Sequence, residues 1–164
     1  MTRGDTDIEA TLIGKLGKDW RGALDGLISR QLELYGELDA LSGQQRGLID
    51  EGDADRLVGL LGERGRIVEA IAETTALFEP FSRCWDEVTR SLDEAALRDV
   101  QRRLDAVAAL AEGVARRDAA DGEAIGARRD ELADRLAGLR RSKSAISAYA
   151  GPPRFGARYQ DREG

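Results

Sequence analysis

The stretch WRGALDGLISRQLELYGELDALSGQQRGLIDEGD, Trp20 to Asp53, decides the fold. Its core positions fall in alternating steps of four and three, through Trp20, Leu24, Leu27, Gln31, Leu34, Leu38, Leu41, Gln45 and Leu48. That is a heptad repeat, which runs one stripe along a helix. Ile28, Tyr35 and Ile49 lie beside the stripe and widen it, so the helix needs more than one neighbour. A bundle is expected rather than a two-stranded coil.

Working outward, Asp50-Glu51-Gly52-Asp53 ends the pattern. Gly52 suits the left-handed conformation that closes a helix, and Asp53 suits the cap of the next. The second pattern runs through Leu57, Leu60, Arg64, Ile67, Ile71, Thr74 and Phe78. The two helices are therefore expected to form an antiparallel hairpin. Pro80 lacks an amide donor and crowds the preceding turn, so a kink or break is expected there, with the kink favoured by the continuing spacing of Phe81, Trp85, Val88 and Leu92. Ser91-Leu92-Asp93-Glu94 has the form of a capping box and marks the start of a third helix.

That third helix carries Leu97, Val100, Leu104, Val107, Ala111 and Val114, meets Asp118 and Asp121, and resumes at Ile125, Leu132, Leu136, Leu139 and Ile146. The acidic gap is read as dividing the helix functionally. The distal stripe sits among Arg128, Arg129, Arg135, Arg140, Arg141 and Lys143 and has no partner left within the chain, so Leu132, Leu136, Leu139 and Ile146 are expected to bind one from outside. The expected fold class is all-α: an antiparallel long-helix hairpin in a three-helix coiled-coil bundle with an extended C-terminal helix. The expected limits are a flexible segment at 1–19, helices at about 20–50, 53–90 and 92–149, and a disordered tail at 150–164 after Gly151-Pro152-Pro153.

Composition narrows the function. The 164 residues carry a net charge of -6, 34% charged and 5% aromatic side chains, which suits long helices with narrow stripes and disfavours binding to phosphate backbones. Nucleic acid is not an expected partner. With no histidine and a single cysteine, Cys84, a zinc site or a histidine-dependent proton relay lacks its residues. No stretch reaches the roughly 20 apolar residues of a membrane span, so no stable membrane insertion and a cytoplasmic location are expected. Asp50, Glu51, Asp53 and Asp55 do not match a calcium loop. Cys84 beside Trp85 has no activating group, and packing is its expected role. An enzyme reading has no residues to rest on, and neither a cofactor nor a metal is expected.

Gly36, Gly43, Gly47, Gly59, Gly62 and Gly65 lie within the first two helices but outside the leucine seam. Two readings stay open: a GC-rich genome that tolerates glycine on solvated faces, or a smooth outer face for another helix.

The stretch Leu38-Asp39-Ala40-Leu41-Ser42-Gly43-Gln44-Gln45-Arg46-Gly47-Leu48-Ile49-Asp50-Glu51-Gly52-Asp53, continued by Leu57, Leu60, Leu61, Arg64, Ile67 and Val68, resembles the first helical hairpin of FlgN-type flagellar export chaperones. In that family a leucine-rich helix with glutamines ends near a Gly-Asp turn, and the next carries a Leu-Leu-x-x-Arg element. The resemblance implies a cytoplasmic chaperone that holds hook-associated (hook–filament junction) proteins and hands them to the flagellar type III export apparatus. It also implies substrate binding through the C-terminal helical region, with Tyr149 matching a tyrosine near the end of that region. The competing expectation is a structural coiled-coil homodimer, because a heptad stripe does not distinguish self from partner. A peripheral membrane helix around Arg128 to Lys143 is disfavoured by Asp130, Glu131 and Asp134.

Overall fold

The computed structural model describes residues 3–150; residues 1–2 and 151–164, and the side chains of Arg3, Arg128, Leu132 and residues 143–150, lie outside the described residues. The expected tail at 150–164 falls almost entirely there. The described chain is all-α, with no strand among the described residues: α1 (Arg3–Leu16), α2 (Trp20–Glu51), α3 (Ala54–Leu77), α4 (Glu79–Arg83), α5 (Trp85–Ser91) and α6 (Glu94–Ala150). It divides into two compact units, Met1–Ala124 and Ile125–Gly164.

In the first unit α2 and α3 make the most extensive pairing. Gly52 closes α2 at φ 72°. Its amide donates to the Ile49 carbonyl and the Asp53 amide to the Leu48 carbonyl, both at 3.2 Å, the paired bonds of a left-handed C-cap. The Asp53 carboxylate then accepts from the Arg56 amide at 3.1 Å and starts α3. Because the turn is tight, α3 returns along α2: Gln45 meets Arg64 near the turn, and Gln31 meets Thr75 farther away. The proximal part of α6 lies parallel to α2, since Arg103 reaches Asp25, Arg117 reaches Asp39 and Asp121 receives Gln45 in rising order.

The return limb is broken rather than kinked. Phe78 and Cys84 interrupt the helical run on either side of α4, and Pro80 stands in the first turn of α4, where its missing N–H costs nothing. Two short helices result, and they bring Phe81, Cys84 and Val88 into one apolar cluster with Trp20, Leu24 and Ile28. A second cluster joins Leu34 and Leu38 of α2 to Ile71 of α3 and Val114 of α6.

The expectation of a flexible segment at 1–19 is corrected. Residues 3–16 form α1, which ends where Gly17 takes φ 97°, and its Leu12 is wholly buried in the first cluster. Ile8, Leu12 and Leu16 recur every four residues and give α1 one apolar side. The pattern breaks heptad phase at Gly17, so it is invisible to a search for the seam.

A Cβ placed on Gly36, Gly43, Gly47, Gly59, Gly62 or Gly65 would meet no other group within 4 Å, so none of the six marks a close approach within the chain. Each leaves its helix more backbone freedom to lose on folding than alanine would, about 0.5–1 kcal/mol. Gly43→Ala/Gly47→Ala is therefore expected to raise the melting temperature by about 2–6 °C, whereas Gly52→Ala lowers it. A lower value for the double variant would mean that this face is covered.

Candidate partner-binding surfaces

Two arrangements in the first unit are polar, and both are closed. At its α1 end, the Glu9 carboxylate accepts from the Ser91 hydroxyl at 2.7 Å, from Arg21 at 2.9 Å and from the Trp20 indole at 3.3 Å. The Ser91 bond, more than Trp20 or Arg21, holds the Glu9 carboxyl below its ordinary value against the opposing cost of burial. A cavity of about 480 Å³, lined also by Ile8 and Leu92, adjoins this cluster. Ser91 is thus not the helix cap expected from Ser91-x-x-Glu94. Asp93 takes that role, accepting from the Ala96 amide at 2.8 Å, because the preceding helix runs through Ser91 and leaves its hydroxyl turned to Glu9.

The second arrangement links α2, α3 and α6. Gln45 donates to the Asp121 carboxylate at 3.0 Å and accepts from Arg64, which in turn donates to Asp118 at 2.8 Å. Arg46 approaches Asp121 at 3.4 Å. Asp121 is only 3% exposed, so its charge is tolerable only because these donors surround it. Asp118 and Asp121, read as the gap that divides the helix, lie inside the first unit and bind α6 to the hairpin; the division between the two units follows directly after them, between Ala124 and Ile125. Sequence reasoning placed Gln45 and Arg64 on seam positions; a polar residue on three seams at once was the signal for this layer.

Cys84 is buried, and its thiol donates to the Pro80 carbonyl at 3.2 Å. Burial, reinforced by Glu87 and opposed by Lys15, pushes the thiol up from its ordinary value, so the nucleophilic thiolate is disfavoured. No group of three or more His, Cys, Asp or Glu is arranged to hold a metal ion among the described residues. No described helix is long and apolar enough to cross a membrane.

The second unit presents a different surface. Leu136 is 56% and Leu139 66% exposed, with Ile125 at 42%. At about 100° per residue these three share one side of α6. Arg129 and Arg140 border that stripe on one side and Arg135 on the other. Asp130, Glu131 and Asp134 fall on the far side, and Glu131 pairs with Arg135 at 2.7 Å. The helix is therefore apolar with a basic rim on one side, and mainly acidic on the other, where Arg141 falls between Asp130 and Asp134. Of the five residues expected to bind a partner, Leu136 and Leu139 are exposed as required. The side chains of Leu132, Ile146 and Tyr149 lie outside the described residues.

Comparison with protein-family models, curated proteins and solved structures gave no match. The surfaces themselves must carry the functional reading.

α3 holds a further apolar stripe outside the buried seam. Val58 is 69%, Leu61 47% and Val68 50% exposed, and with Gly65 and Ala72 they form a second heptad line, 58-61-65-68-72, beside the buried one. Its spacing is present in the sequence, directly beside the buried line through Leu57, Leu60, Arg64, Ile67 and Ile71. On the other side of α3, Ala40, Leu41 and Ile67 line an open groove of about 440 Å³ rimmed by Glu37, Glu63 and Arg66.

Proposed function

We propose that this chain is a cytoplasmic export chaperone that binds hook-associated proteins before flagellar type III secretion, with no catalytic step of its own. The observation that carries this reading is the exposure of Leu136 and Leu139 on a basic-rimmed stripe in the second unit. Apolar side chains at helical spacing dock into a groove or pair with amphipathic helices. The FlgN-like pattern of the hairpin, Leu38 to Val68, supports the choice of client class, and the export apparatus is the expected recipient. In this reading the first unit is a rigid base, its α6 fixed by the Gln45–Asp121 layer, and the client covers the distal stripe.

Covering a leucine is worth about 1.5–3 kcal/mol, and each 1.4 kcal/mol is a factor of about ten in affinity. Leu136→Asp/Leu139→Asp is therefore expected to weaken binding of a purified hook-associated protein about a hundredfold or more in calorimetry, with helicity by circular dichroism unchanged. Undiminished binding by the folded variant would remove the stripe from the client site, and absence of binding by the unaltered chain would remove the client class.

A further inference from the structure

We propose that the exposed stripe of α3 is the docking site for the distal α6 of a second copy of this chain, so that two copies close into a reciprocal dimer. Two unpartnered apolar faces in one chain, each an amphipathic heptad line, supply both halves of a helix–helix seam. One half is Val58, Leu61 and Val68, at 69%, 47% and 50% exposure; the other is Leu136 and Leu139, at 56% and 66%. The glycine at 65 and the alanine at 72 lower the α3 surface between its apolar side chains, leaving room for leucines to seat as knobs.

Charge selects this pairing over self-pairing of either face. On α3 the residues bordering the stripe on its outer side are Asp55, Glu69 and Glu73, and none makes an ion pair among the described residues. On distal α6 the residues beside the stripe are Arg129, Arg135 and Arg140. Arg129 and Arg140 likewise make no ion pair among the described residues. Two copies of α6 joined stripe to stripe would bring arginine rims together, and two copies of α3 would join acidic rims. The mixed pairing sets each rim against its opposite, the arrangement that fixes partner choice in helical seams. A contact between two different faces either closes a ring or propagates; with both faces on every chain, two copies have what reciprocal exchange requires, and the mass distinguishes closure from growth.

The inference uses the same distal stripe as the chaperone reading but does not rest on it. Mass measurements on the pure chain test the dimer, and client binding tests the chaperone, so either can fail alone. Light scattering after size separation, on the full chain at tens of micromolar, is expected to give twice the chain mass. Val58→Asp/Val68→Asp and Leu136→Asp/Leu139→Asp, all at exposed positions, are each expected to give a single-chain mass with helicity retained. The deciding measurement mixes the two variants in equal amounts: one retains a sound α6 and the other a sound α3, so the mixture forms one of the two seams and reaches twice the chain mass at a higher concentration than the unaltered chain needs. A second pair guards against misfolding: Glu69→Arg/Glu73→Arg weakens the dimer about tenfold, and combining it with Arg129→Glu/Arg140→Glu restores it. A wild-type monomer overturns the proposal, as does either apolar variant remaining dimeric alone, a mixture that stays monomeric, or a mass that grows past two copies. Monomeric wild type on vesicles with anionic headgroups would assign the basic-rimmed stripe to a lipid surface instead.

Discussion

Trp20→Ala is expected to destabilise the first unit by about 3–5 kcal/mol, a cost typical of deleting a buried aromatic side chain. Trp20 is 1% exposed and stands at the start of α2 in the cluster that also takes Leu12, Phe81, Cys84 and Val88. Those residues come from α1, α2, α4, α5 and the junction between the last two, and Val100 of α6 joins the same cluster, so one side chain supports five helices. Its indole also donates to Glu9, and Arg21 lies 4.9 Å from its ring centroid. Against a total of about 5–15 kcal/mol for a folded domain, the loss is a large fraction. Urea denaturation followed by circular dichroism gives the value directly. A loss below about 1 kcal/mol would mean that α1, α4 and α5 do not depend on this cluster.

Asp121→Ala is expected to cost about 1–3 kcal/mol, because it strands the Gln45 amide in a buried layer. The contribution of Arg46 to that figure is small, since its side chain is 49% exposed and its charge is screened. Removing both polar groups behaves differently. Gln45→Leu/Asp121→Leu leaves Arg64 paired with Asp118 and exchanges a polar pair for apolar packing, a change that is often neutral or stabilising. The double variant is expected to recover the stability lost by Asp121→Ala while losing the device that aligns α6 with α2. Spin-label distances between the two helices within residues 20–124 would then broaden. Equal stability of Asp121→Ala and the unaltered chain would show that the layer is not energetically coupled.

The heptad from Trp20 to Leu48 made α2 legible because a long, strongly periodic pattern leaves few alternatives. Gln31 and Gln45 fell on seam positions and are buried. The Gly52-Asp53 turn was legible because left-handed backbone and side-chain capping each have a residue preference. What escaped was decided by tertiary context. Ser91 and Asp93 both had capping chemistry, and only the course of α5 and the presence of Glu9 determined which one capped α6. Asp118 and Asp121 read as a gap in the stripe because an aspartate advertises no partner on a distant helix. At the candidate sites Leu136 and Leu139 were found from spacing alone, whereas the α3 stripe was hidden because its members double as neighbours of the buried seam.

The order in which the helices are joined also has a consequence for synthesis. Asp25 and Asp39 of α2 wait 78 residues for Arg103 and Arg117, and Gln45 waits 76 for Asp121. At about 5–20 residues per second the ribosome takes roughly 4–16 s to supply them. The hairpin closed at Gly52 needs far less time, since helix formation itself takes on the order of microseconds. From Ile71 to Val114 the ribosome takes about 2–9 s, during which a nascent chain displays Leu34, Leu38 and Ile71 without Val114 to cover them, and translation rate over that stretch sets how long the surface stays open to other proteins.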